Sequence, residues 1–95
     1  MNNNQSFVSV WDALEDSPVE AANMRLRSEL MIAVHQTVTA WNLTQAEAAR
    51  RLDITQPRLN ELAKGRIGNF SLDALINIAT KAGLGVRLEI EKSAA

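Results

Sequence analysis

Thr44-Gln45-Ala46-Glu47-Ala48-Ala49-Arg50-Arg51-Leu52-Asp53-Ile54-Thr55-Gln56-Pro57-Arg58-Leu59-Asn60-Glu61-Leu62-Ala63-Lys64-Gly65 reads as two short amphipathic helices joined by a tight turn. Thr44 and Thr55 each stand where a hydroxyl can cap a helix start. Pro57 falls in the first turn of the second helix, where its missing N–H has no intrahelical partner to lose. Ala49, Leu52, Ile54, Leu59 and Leu62 are apolar or small at the places where two crossed helices must touch, and a long side chain at Ala49 would push them apart. Gly65 stops the second helix. With Leu59, Leu62 and Ala63 turned inward, steps of about 100° per residue put Pro57, Glu61 and Lys64 on the opposite side. Arg58 and Asn60 flank that face, and Gln56 stands at the helix tip.

Upstream, Ser17-Pro18-Val19-Glu20 has the form of a capping box with proline at the first helical position, which marks a helix start. A further, longer helix is expected after it: Leu26, Leu30, Val34, Val38 and Trp41 recur at four, four, four and three, one apolar stripe that should pack under the two-helix unit until Asn42 ends it. Beyond the Gly68-Asn69 loop, Ser71 caps a segment whose Leu72, Leu75, Ile76 and Ala79 face the core and which Gly83 closes. That makes five helical segments. Ser9-Val10-Trp11-Asp12 adds a hint of a short helical turn through Leu14.

The period changes at the carboxyl end. Val86, Leu88 and Ile90 alternate with Arg87, Glu89 and Glu91, a two-residue repeat that predicts a half-buried strand. A lone strand needs a partner, and the most economical one is the same strand of a second subunit across a two-fold axis. Centring the pair on Leu88 sets Val86 against Ile90 and Arg87 against Glu89, whereas centring on Glu89 would oppose two carboxylates. Val86, Leu88 and Ile90 are therefore the expected dimer contacts; the alternative is a strand folded onto its own subunit.

A chain of 95 residues makes one domain. At this size only somewhat more than roughly 60% of the unfolded surface is buried, which favours association into a dimer. The chain divides into a leader over residues 1 to 16, a helical domain over 17 to 83 and a tail over 84 to 95. Cysteine is absent and His35 is the single histidine, so neither disulfides nor a histidine-based metal cluster is expected, and no cofactor or enzymatic activity. His35 lies off the apolar stripe and reads as a surface residue. No apolar run has the length of a bilayer span, and the Asn-rich start lacks the basic end and apolar stretch of a secretory signal. A cytoplasmic protein without membrane contact is expected.

The segment from Thr44 to Gly65 resembles the helix-turn-helix of the Xre/Cro and phage repressor family over its whole length, from the Thr44-Gln45 that opens the first helix to the Thr55-Gln56 that opens the second. One residue departs from the pattern: Asp53 sits where the family usually has Gly, at a turn position that wants positive φ, which Asp is among the few other residues to tolerate. The resemblance implies an all-α, five-helix, lambda-repressor-like DNA-binding domain, with the C-terminal strand used in dimerisation. Gln56 can then bond bidentately to adenine, Arg58 can reach guanine or a phosphate, and Pro57 can meet a thymine methyl. Asn60 lies beside them. Glu61 has two readings: it reads cytosine, or it orients Arg58 or Gln56 from behind. Thr44, Gln45 and the N–H groups opening their helix should hold a phosphate, with Thr55 capping the second helix and Lys64, Arg66 and Asn69 gripping the backbone near its other end.

The formal charge of −1 is unevenly spread. Residues 1 to 30 carry five acidic and two basic side chains, a balance of −3, and residues 31 to 66 carry five basic and three acidic, giving +2. The last segment carries three of each sign. Local charge near phosphates matters more than the total, and a modest +2 leaves specificity to fitted contacts in a dimer on a palindromic operator.

A finer resemblance extends over residues 9 to 91. Ser9-Val10-Trp11-Asp12-Ala13-Leu14, Asp16-Ser17-Pro18, Glu20-Ala21-Ala22-Asn23 and Leu26-Arg27-Ser28-Glu29-Leu30-Met31, with Phe70-Ser71-Leu72-Asp73, look like short Xre-type antitoxins of the HigA kind. That group is implied to be bacterial, dimeric and autorepressing, and many of its members neutralise a ribonuclease toxin of the RelE fold encoded beside them. In the leader, Phe7, Val10, Trp11 and Leu14 can form an apolar ridge beside Asp12, Glu15 and Asp16, suited either to a basic toxin surface or to the protein's own first long helix. The alternatives are a stand-alone Xre-family repressor and a module that chiefly binds a toxin.

Overall fold

The computed structural model describes residues 17–92. Among them are four α-helices and one 3-10 turn: α1 (Pro18–Trp41), α2 (Gln45–Leu52), α3 (Gln56–Ala63), the turn Ile67–Asn69 and α4 (Leu72–Lys81). The all-α class holds, but the five helices and the C-terminal strand do not. The two helices expected between residues 17 and 41 are one. No Gly or Pro interrupts the run after Pro18, so nothing breaks the hydrogen-bond ladder across its 24 residues. The hinted turn at Ser9 to Leu14, and with it Val10 and Trp11, lies outside the described residues.

Residues 84 to 92 form no strand, and no second extended segment among the described residues offers a ladder of N–H and C=O groups to pair with. Val86, Leu88 and Ile90 are accordingly 43%, 78% and 84% exposed, so the fold-back onto the same subunit is not found. The last backbone tie to the helices is Leu84, whose N–H donates to the Ala79 carbonyl at 3.0 Å and whose side chain packs on the core.

Helix boundaries follow local chemistry. The Ser17 hydroxyl accepts from the Glu20 N–H at 3.3 Å. Asn42 ends α1 in the left-handed region at φ 54°, its N–H donating to the Thr39 carbonyl at 3.2 Å. Thr44 opens α2 with a reciprocal box: the Glu47 N–H donates to its hydroxyl at 3.1 Å, and its own N–H donates to the Glu47 carboxylate at 3.2 Å. Thr55 and Ser71 cap α3 and α4 through the hydroxyl alone, accepting from the N–H groups of Arg58 and Ala74. Gly65 and Gly83 follow the ends of α3 and α4 at φ 72° and 86°, a conformation that costs glycine nothing.

The core lies where α1 packs directly on α4 and the α2–α3 pair closes against them, α2 on α4 and α3 on α1. Val34 and Met31 of α1 meet Leu75, Ile78 and Ala79 of α4, and Ala48, Ala49, Leu52, Leu59 and Leu62 fill the space between. Leu30, Val38 and Trp41 are partly buried against this cluster, while Leu26 is 41% exposed. Each four-residue step advances the stripe by about 40° beyond a full circle, so it winds around α1 and its first member leaves the core face. Ala63, expected inward, is exposed and borders an open groove beside His35.

Candidate nucleic-acid interface

The turn between α2 and α3 is built on Asp53, which stands at φ 59°, ψ 42°. Its N–H donates to the Arg50 carbonyl at 3.1 Å, and the Ile54 N–H donates to the Ala49 carbonyl at 3.0 Å. These bonds reverse the chain in one step, so Ala49 and Leu59 are buried together and α3 is held across α2. Lys81 of α4 stands 3.8 Å from the Asp53 carboxylate, in an exposed pair that adds little stability.

On α3, Leu59 and Leu62 are buried, and Thr55, Gln56, Pro57 and Asn60 are exposed. Lys64 and Arg66 are exposed beyond its end. Thr44 and Gln45 are exposed at the start of α2. The residues expected at the helix tip and along the outer face are thus exposed, apart from Glu61. Within the Thr44 box the Glu47 carboxyl is held below its ordinary range, first by the backbone N–H of Thr44, then by its hydroxyl and by the charge of Arg50.

Arg58 and Glu61 differ from their neighbours: both are only half exposed. The Arg58 guanidinium lies 3.9 Å from the centroid of the Phe70 ring, its Nη1 donates to the Asn69 carbonyl at 2.7 Å, and Glu61 Oε1 is 3.7 Å away. The other carboxylate oxygen of Glu61 accepts from the Asn69 side-chain amide at 2.8 Å. Asn69, expected on the phosphate backbone, thus spends its side chain on Glu61.

Three residues that sequence reasoning passed over take part in holding these elements together. Arg27 of α1 donates to the carbonyls of Ile67 and Phe70 at 3.0 and 3.3 Å, and no local pattern announces a contact 40 residues away. Phe70, almost wholly buried, did have a signal: an apolar residue directly before a capping Ser, the position of a hydrophobic staple. Arg51 stacks on Trp41, its guanidinium 4.1 Å from the ring centroid, and ties the end of α1 to α2. No group of three or more metal-ligating side chains occurs among the described residues, nor is any of their helices long and apolar enough to cross a membrane.

A short helix laid across another, capped at both starts and presenting polar side chains along its outer face, defines a helix-turn-helix protein. A family model described as a helix-turn-helix domain matches residues 13–91, and the chain belongs to that family. Among solved structures it is similar to one assigned to the XRE family of transcriptional regulators, with a TM-score of 0.72 and 27% sequence identity over 79% of this chain and 84% of that one. No curated protein matches. The family and the structural neighbour together support an Xre-type helix-turn-helix and a DNA-binding transcriptional regulator.

Proposed function

We propose that this chain is a sequence-specific, cytoplasmic DNA-binding regulator that acts as a homodimer on a palindromic operator. The observation that carries the reading is the outer face of α3, where Gln56 and Pro57 stand exposed at the start of a capped helix and Asn60 stands exposed one turn further along. That end presents an amide able to bond adenine N6 and N7 and an apolar surface for a thymine methyl. Gln45 at the start of α2, with Lys64 and Arg66 beyond α3, supplies the phosphate grip that fixes register. Homodimerisation is supported by the small size of the chain and by Val86, Leu88 and Ile90, apolar side chains that a single subunit leaves in water.

The finer role we propose is that of an autorepressing antitoxin. It is supported by the likeness of residues 9 to 31 to HigA-kind antitoxins and by the acidic, Trp-bearing leader, whose charge suits a basic ribonuclease of the RelE fold. Selection from a random pool of duplexes tests the first role: the protein should enrich an inverted repeat, and recovery of no common sequence would refute it. Coexpression with the product of the adjacent reading frame tests the second. Growth arrest by that product alone, relieved by this chain, is the expected outcome; a harmless neighbour would leave a stand-alone repressor.

A further inference from the structure

Reading α3 as the DNA-facing helix leaves Arg58 in an odd position, because its guanidinium is already committed. It rests on Phe70, a ring with only 1% of its surface exposed and therefore a fixed floor. It donates to the Asn69 carbonyl and lies beside Glu61, which is tied in turn to the Asn69 amide. Turning outward to a base would forfeit a charge-assisted hydrogen bond, an ion pair and a stacked face together. From the other side, Arg27 donates through Nη1 to the carbonyls of Ile67 and Phe70, with its Nε anchored on Asn23 Oδ1 at 2.7 Å. Two arginines on different helices thus grip three carbonyls of one short turn. The turn's own backbone ties are short-range: the Ile67 N–H donates to the Gly65 carbonyl at 2.8 Å, the Asn69 N–H to that of Arg66 at 3.0 Å and the Phe70 N–H to that of Ile67 at 3.2 Å, while the Arg66 N–H donates back to the Glu61 carbonyl at 3.1 Å.

Resting on the DNA-binding reading above, we infer that Arg58 and Arg27 are positioning residues. Together they hold the Ile67–Asn69 turn, and with it Arg66, in place at the end of the recognition helix, and Arg58 does not read a base. Base choice then falls to Gln56, Pro57 and Asn60. The guanidinium is specific to this task, since an ammonium has neither the fork that spans a carbonyl and a carboxylate nor the flat face that lies on a ring.

The test uses the duplex that the full chain selects and every single-base-pair variant of it. Binding is measured for wild type, Arg58→Gln, Arg58→Lys, Arg27→Gln and the double glutamine variant, well below each protein's melting temperature. Each single variant should lose about tenfold in affinity, the scale of one hydrogen bond to a charged group, with the order of preference at every base pair unchanged. Lys at position 58 should not rescue. The double variant should lose less than the product of the singles, because both arginines hold one turn. By NMR, the Arg58 side-chain resonances, displaced by the Phe70 ring current, should keep that displacement when duplex is added. Loss of discrimination at one base pair in Arg58→Gln, wild-type binding by Arg58→Lys, or loss of the displacement on duplex would overturn the inference. If the wild-type chain selects no duplex, the DNA-binding reading fails first and this inference falls with it.

Discussion

Gln56 and Lys64 stand at opposite ends of α3 and should fail in different ways. On the proposed base reading by Gln56, Gln56→Ala should cost about 1 to 3 kcal/mol on the selected operator while barely changing binding to random duplex. Lys64→Ala should weaken both and reduce the slope of log affinity against log salt by about one. Equal losses on both duplexes for Gln56→Ala would count against base reading. Residues whose conformation follows from their own chemistry were legible in the chain. Asp53 was one, because few side chains tolerate the left-handed backbone that the turn needs, and φ 59° is what it adopts. Arg58 was not. Helix geometry places it on a flank, but its partners Asn69 and Phe70 lie 11 and 12 residues further on. No periodicity says whether a long cation will reach for solvent or for a ring.

Capping and close packing decide the elements, and each can be disturbed separately. Ala49, 2% exposed, sits where α2 meets α3. Ala49→Leu should overpack that crossing and cost about 1 to 3 kcal/mol, read as a lower melting temperature. A variant as stable as wild type would mean that the crossing yields more readily than its burial implies. The Thr44–Glu47 box has a pH signature. Because the folded state holds the Glu47 carboxyl below its ordinary pKa, its contribution is fully present above the unfolded value and is lost as pH falls through the lower folded value. Glu47→Gln should flatten that acid limb in a melting-temperature series, and an unchanged limb would assign the acid sensitivity elsewhere. Starts and stops were readable from Ser, Thr, Asn and Gly because caps are local. The single α1 was missed because a capping box and an apolar stripe each suggested a helix, and only the lack of a breaker between them makes the two one. The alternation at 86 to 91 misled for the opposite reason: a strand is completed by hydrogen bonds to another segment, and side-chain rhythm cannot supply one.

The molecule as a whole is proposed to work in pairs, and its surface carries the test. Leu88→Asp with Ile90→Asp should lower the dimer fraction in sedimentation and reduce operator affinity by more than any one DNA contact, since two half-sites then bind without linkage. An unchanged sedimentation profile would remove these residues from the contact. In the dimer the half-sites of the operator should lie about 34–36 Å apart, one helical turn, or a multiple of it, which footprinting would reveal. The packing of α1 on α4, the first and last helices described, bears on how the chain acquires its shape. Every other element is threaded between these two, and neither α2 nor α3, at eight residues each, is long enough to persist alone in water. The recognition helix therefore has no existence apart from the closure of the whole domain. Folding should be a single all-or-none event, and a lesion in α4, far along the chain from the polar face of α3, should abolish recognition as completely as one within it.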